Sequence, residues 1–151
     1  MGITYRIEQK RHINGAFPGP KSVELAARRT NAVALGVASA MPVYVADADG
    51  GIIVDVDGNA IIDLGSGIAV TSVGASNEKV AAAVAAQAAR FTHTCFMVTP
   101  YEGYVELAEK LAEISPGTHA KKAVFFNSGS EAVENAIKVA RVATGRTAVV
   151  A

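Results

Sequence analysis

The last thirty residues constrain this chain most. Lys122 to Phe126 is a short apolar run of strand length, and Ser128-Gly129-Ser130 is a glycine turn. Glu131 to Thr144 has helical spacing, and Thr147 to Ala151 begins another apolar strand. Gly145 stands just past the helical stretch, where a left-handed residue commonly ends a helix. A strand–helix–strand unit is parallel and right-handed in nearly all cases, and its sheet needs covering on both faces. A chain that only begins such a unit is expected to be the front portion of a larger α/β fold.

Composition agrees with an α/β chain. Of 151 residues, 50% are hydrophobic, mostly alanine and valine, which suits helices packed closely on a sheet. The 14 basic and 14 acidic side chains cancel, so no long-range field would hold nucleic acid or an acidic membrane. Cys95 is the single cysteine, which excludes an internal disulfide and fits a reducing, cytoplasmic setting. The stretch from Met1 to Asn14 has no apolar signal-peptide core. No apolar run reaches the roughly 20 residues of a spanning helix, so a soluble protein is expected.

Residues 1–20 read as an arm broken by Asn14, Gly15, Pro18, Gly19 and Pro20. The following segment, 21–75, opens with a short helix from about Ser22, a good cap, to Arg29. It continues with Val43-Tyr44-Val45, Ile52-Ile53-Val54 and Ala60-Ile61-Ile62, separated by Asp/Gly clusters. Aspartate–glycine turns between β-branched runs predict an antiparallel three-stranded meander. The aspartates at 47, 49, 55, 57 and 63 lack the order and closing glutamate of an EF-hand, and read as turn residues. The segment 76–151 predicts a helix from Asn77 to Arg90 capped by Ser76, and a loop from Phe91 to Pro100. A further helix from Tyr101 to Ile114 has Tyr104, Leu107, Ala108 and Leu111 at the spacing of a buried face.

The stretch from Phe125 to Ala132 carries the chemistry. A helix that begins directly after a glycine turn presents unpaired amides and the positive end of its dipole. Gly129 would let an anion approach the backbone, and Ser128 and Ser130 add hydroxyl donors, which together make a phosphate site without a lysine. A plainer reading stays open: Ser128 with Glu131 fits a capping box, in which both side chains only satisfy the helix end. Neither a G-x-G-x-x-G turn nor a G-x-x-x-x-G-K-[ST] loop is present.

The string Asn127-Ser128-Gly129-Ser130-Glu131-Ala132-Val133-Glu134-Asn135-Ala136-Ile137-Lys138-Val139-Ala140-Arg141 closely resembles one in class-III pyridoxal-phosphate aminotransferases. Tyr44 to Leu64 is similar to that family's small N-terminal sheet, and Gly67-Ile68-Ala69-Val70 to a substrate-side segment. Phe91-Thr92-His93-Thr94, Pro100-Tyr101-Glu102 and Tyr104 look most like the 4-aminobutyrate aminotransferases within the class. The resemblance, from about Pro18 to Ala151, implies the N-terminal part of a fold-type-I pyridoxal-phosphate transferase. On that reading Gly129, Ser130 and Ser128 hold the phosphate of pyridoxal 5'-phosphate, Ile68 lines the substrate pocket, and Met97 approaches the partner subunit's site in a homodimer. The activity implied is transfer of an amino group from an ω-amino acid such as 4-aminobutyrate to 2-oxoglutarate. Ornithine or acetylornithine as donor, or a non-catalytic truncated module, are the alternatives.

Two departures qualify the resemblance. Family members often carry Gly-His-x-His-Pro where this chain has Gly74-Ala75-Ser76-Asn77-Glu78. The family's Schiff-base lysine, pyridine-nitrogen acid, ring-stacking aromatic and carboxylate-gripping arginine have no counterpart here. No catalytic residue is therefore expected in this segment, which alone would be inactive. Lys138 lies within the helix after the turn, is expected to pair with Glu134 four residues earlier, and does not replace the missing lysine. His93 and Cys95 lack the second pair of ligands a metal site needs, and no metal is expected.

Overall fold

A computed structural model describes residues 4–150. The chain divides into two compact units, one ending at Thr92 and one beginning at His93.

The first unit is built on the expected meander. Strand β1 (Val45–Asp49) pairs antiparallel with β2 (Ile52–Asp55), and β2 pairs antiparallel with β3 (Ala60–Ile62). Asp49 faces Ile52 and Val54 faces Ala60, with an irregularity between Val45 and Asp47. β1 thus begins at Val45 and runs through the aspartates expected to form its turn; the turn itself is Gly50-Gly51. Ile52 is the one apolar side chain fully buried among the described residues. Around it the interior is polar: Asp49, Asp55 and Asn59 are buried as well.

Each of the five aspartates accepts hydrogen bonds from the protein. Asp55 takes the amides of Asp57 and Asn59 at 2.9 and 2.8 Å, and the Asn59 side-chain amide at 2.7 Å. Asp63 takes the amides of Gly65 and Ser66. Asp47 holds the Arg6 guanidinium through both oxygens, at 3.0 and 3.1 Å, and Asp49 takes the amides of Arg6 and Ile7. The turn reading holds for Asp55, Asp57 and Asp63, whereas Asp47 and Asp49 lie within β1 and dock the arm. His12 forms an antiparallel bridge with Ala60, and Asn14 donates its amide to the Asn59 side chain at 2.8 Å. Among the described residues, no cluster of three or more His, Cys, Asp or Glu is placed to hold a metal ion.

Helix α1 spans Pro20–Ala32, longer than the sequence indicated, and its N-cap is Gly19, with no side-chain cap of its own. Ser22, expected as the cap, instead lies inside the first turn and is fully buried. The acceptor is supplied from the β2–β3 turn: Asp57 receives the amides of Lys21 and Ser22 at 2.8 and 2.9 Å. Glycine at 19 makes this approach possible, because a Cβ there would lie 2.6 Å from that of Asp57. Partial desolvation pushes the Asp57 carboxyl upward. The Ser22 side chain, the two amides and the charge of Lys21 outweigh it and hold the group below its ordinary value, although the Ser22 Oγ itself meets no partner at hydrogen-bonding geometry. A carboxylate with a depressed folded-state pKa contributes stability above its unfolded-state pKa and loses it as pH falls through the folded value. Amide-exchange protection of Lys21 and Ser22 should therefore decline on acidification below the usual carboxylate range. Asp57→Asn, which keeps one acceptor and no charge, should show weaker protection that does not respond to pH; equal pH response in both proteins would refute this capping role.

The short α2 (Ser66–Ala69) is a left-handed turn. Ser66, Gly67, Ile68 and Ala69 have φ of 47°, 60°, 61° and 64°. Helix α3 is Glu78–Arg90, and its cap is Asn77, not Ser76: the Asn77 side chain accepts from the amides of Lys79 and Val80. Ser76 has a positive φ of 51° and donates its hydroxyl to Ala48 O, so it ties the loop to β1.

In the second unit, α4 is Glu102–Ile114 and α5 is Gly129–Thr144. Gly145 closes α5 at φ 68° and donates to Arg141 O, as its place in the sequence indicated. Two expectations are corrected here. Residues 122–126 and 147–150 form no strand, and Ala151 lies outside the described residues. Apolar β-branched residues favour a strand only when neighbours satisfy its backbone, and among the described residues no strand pairs with either segment. The apolar face of α4 is the other: Tyr104 and Ala108 are half-buried, while Leu107 and Leu111 are exposed. Val80 and Val84 of α3 and Val133, Val139 and Val142 of α5 are exposed as well. The ample apolar content therefore builds amphipathic helix faces here more than a closed core. No helix among the described residues is long and apolar enough to cross a membrane.

Candidate functional site

Ser128, Gly129 and Ser130 come together at the start of α5. The helix begins earlier than its spacing indicated, with Ser128 as N-cap, Gly129 and Ser130 as its first two residues and Glu131 as the third. The Ser128 Oγ accepts from the Glu131 amide at 3.3 Å, and the Glu131 carboxylate accepts from the Ser128 amide at 3.2 Å. The capping box is thus formed, but it does not exclude an anion. It occupies the amides of Ser128 and Glu131, while those of Gly129 and Ser130 have no partner within a helix that starts at Gly129. The Ser128 hydroxyl spends a lone pair on Glu131 and retains its own proton to donate.

Gly129 supports the same reading from the steric side. Its φ lies outside the left-handed region, and a Cβ built on it meets nothing within 4 Å. Neither backbone conformation nor packing within this chain requires glycine there; the position is open space beside two outward amides. The turn also edges an open hollow lined by Gly129, Ser130, Val133, Glu134 and Ile137. Glu134 would repel an anion there, but Lys138 pairs with it at 2.7 Å. The Lys138 hydrogen bond, and then its charge, hold the Glu134 carboxyl below its ordinary value. That ion pair is the role expected for Lys138. A phosphate group fits this turn by the open space at Gly129, the two amides and the hydroxyls of Ser128 and Ser130.

The two expected substrate residues are both displayed. Ile68, on the left-handed turn of the first unit, is 95% exposed, and Met97, in the loop before α4, is 93% exposed. A β-branched residue at positive φ is an uncommon conformation, and nothing in the local spacing announced it.

How the segment entering the turn is held was missed from the sequence. Tyr104, read as one member of a buried helix face, accepts the Phe125 amide on its hydroxyl at 3.2 Å. Its ring meets Phe125 edge-on at 4.6 Å and stacks on Phe96 at 4.0 Å. The spacing of aromatics across the loop, Phe96, Tyr101, Tyr104 and Phe125, was the available signal.

With this geometry in view, known proteins place the chain. The model of the class-III aminotransferase family matches residues 34–151. A 4-aminobutyrate aminotransferase of Mycobacterium tuberculosis is 59% identical over 145 residues, 96% of this chain and 32% of that protein. A 5-aminovalerate aminotransferase of Pseudomonas putida is 47% identical over 124 residues, 82% of this chain and 29% of that protein. A solved ornithine aminotransferase of Toxoplasma gondii, with pyridoxal phosphate at partial occupancy in its active site, superposes with a TM-score of 0.71. It is 27% identical and covers 80% of this chain and 27% of its own. The chain therefore spans about a third of the length of the curated relatives. A family match over most of the sequence, together with a solved aminotransferase of the same fold, shows that this chain belongs to the class-III aminotransferases.

Proposed function

We propose that the full-length protein is a pyridoxal-phosphate aminotransferase that moves the amino group of an ω-amino acid such as 4-aminobutyrate to 2-oxoglutarate. The observation that carries this is the start of α5: a capped helix whose first two amides stay outside the capping box, beside open space at Gly129. It stands in a chain 59% identical to a protein named for 4-aminobutyrate. When bound, the cofactor supplies an electron sink for the bonds at the amino-bearing carbon.

The residues of this chain bind and orient. The amides of Gly129 and Ser130 and the hydroxyls of Ser128 and Ser130 hold the phosphate at the positive end of the α5 dipole. A tightly held phosphate fixes the cofactor's position, so that binding energy remote from the reacting atoms becomes orientation at them. Ile68 lines the substrate pocket, and Met97 approaches the active site of the partner subunit. In this reading residues 1–20 are an arm, 21–75 a small-domain helix and meander, and 76–151 interface helices and the start of the cofactor-binding domain. The enzyme is a cytoplasmic homodimer, and its cofactor-linking lysine lies outside this segment.

The test is donor choice. The full-length protein, loaded with pyridoxal phosphate and given 2-oxoglutarate, should form glutamate from 4-aminobutyrate or 5-aminovalerate at a higher kcat/KM than from ornithine or acetylornithine. Preference for either of the latter would overturn the ω-amino acid assignment, and no glutamate from any of them would overturn the activity.

A further inference from the structure

We infer that Tyr104 is a positioning residue for the phosphate turn, acting through Phe125. This rests on the reading of residues 128–130 as the cofactor-phosphate anchor and adds what holds that anchor in place.

The segment that delivers the turn has the alternation of a strand without a ladder. Lys121, Ala123 and Phe125 are half-buried, while Lys122, Val124 and Phe126 are exposed. Phe125 is on the inner side, and its amide donates to the Tyr104 hydroxyl at 3.2 Å. Only Phe126 and Asn127 separate it from Ser128, so fixing the Phe125 backbone limits where the turn can begin. Tyr104 is itself braced. It lies on the first turn of α4, stacks on Phe96 with ring centroids 4.0 Å apart at 20°, and meets Tyr101 edge-on at 6.2 Å. Phe96 in turn meets Tyr101 at 5.5 Å and 86°. One phenol therefore joins three parts of this unit: the loop carrying Met97, helix α4 and the segment entering the anchor.

An anchor built from two amides depends on their direction, since hydrogen bonds weaken steeply once misaligned. Tyr104→Phe deletes one oxygen and keeps the rings, so it removes the tether without opening a cavity. The experiment uses the full-length protein as apoenzyme, titrated with pyridoxal phosphate and, separately, with pyridoxal, which has no phosphate. In Tyr104→Phe, affinity for pyridoxal phosphate should fall by about 3- to 10-fold, the factor that one hydrogen bond carries. Affinity for pyridoxal should not change. A purely structural role would weaken both ligands alike. Equal loss for both, or no loss for either, overturns the assignment of Tyr104. Gly129→Val, measured in parallel, separates the two claims. If it weakens pyridoxal phosphate while Tyr104→Phe does not, the anchor stands and the positioning role falls. If it too leaves affinity unchanged, the anchor reading falls and the role of Tyr104 with it.

Discussion

Replacing Gly129 with valine should strip the full-length enzyme of its hold on pyridoxal phosphate while leaving the apoprotein folded. The position is the first residue of α5, its φ is ordinary, and a Cβ there meets no atom of this chain within 4 Å. Valine at the start of a helix costs little in propensity relative to glycine, so stability should not move. The isopropyl group would fill the open space beside the amides of Gly129 and Ser130. Hydrogen bonds to a charged partner contribute about 1.5–3 kcal/mol each, so losing two weakens binding by about 10²- to 10⁴-fold. A cofactor titration of the apoenzyme, with a thermal melt alongside, reads both quantities. Ser128→Ala is the complementary case. It removes the cap, which costs about 1 kcal/mol of stability, but leaves both outward amides in place, so cofactor affinity should fall far less than in Gly129→Val. Unchanged affinity in the valine variant would mean that the open space at Gly129 is not the phosphate's.

Those two neighbours show which parts of the molecule were legible beforehand. Ser128, Glu131 and Gly145 are read correctly because a capping box and a left-handed stop are local devices, complete within four residues. The meander is legible for the same reason, since its turn residues and β-branched runs adjoin. Legibility ends where a partner is distant in sequence. Ser22 has the chemistry of a cap, yet α1 is capped by Asp57, 35 residues away. Ser76 has it too, but Asn77 already satisfies α3, which leaves Ser76 to bind β1. The segment 122–126 has strand composition without a strand to pair with. The faces of α4 and α5 have the spacing of burial without the elements that would cover them. At the candidate site, the glycine turn and the capped start of α5 were visible in the motif. The support from Tyr104 was not, because a hydroxyl bonded 21 residues away leaves no periodicity.

The most damaging single change in the first unit should be Asn59→Ala. Asn59 is fully buried, and both ends of its side chain are committed: Nδ2 donates to Asp55 Oδ2 at 2.7 Å and Oδ1 accepts the Asn14 amide at 2.8 Å. Alanine would leave a carboxylate oxygen of Asp55, itself only 2% exposed, and the Asn14 amide without these partners. A buried group stripped of its partner costs about 1–3 kcal/mol, and more when charged. The amide of the exposed Asn14 can turn to water, so a loss of about 2–4 kcal/mol is expected. The effect should also spread along a definite route. Asp55 sets the loop through the amides of Asp57 and Asn59, and Asp57 caps α1, so arm and helix depend on one turn. Denaturant unfolding of the full-length variant should show the loss. Hydrogen exchange should show the amides of Asn14, Lys21 and Ser22 losing protection together. If Asn14 alone were affected, Asn59 would be a local clip for the arm. If all three stayed protected and the loss were under about 1 kcal/mol, the buried Asp55–Asn59 pair would not be what organises this unit.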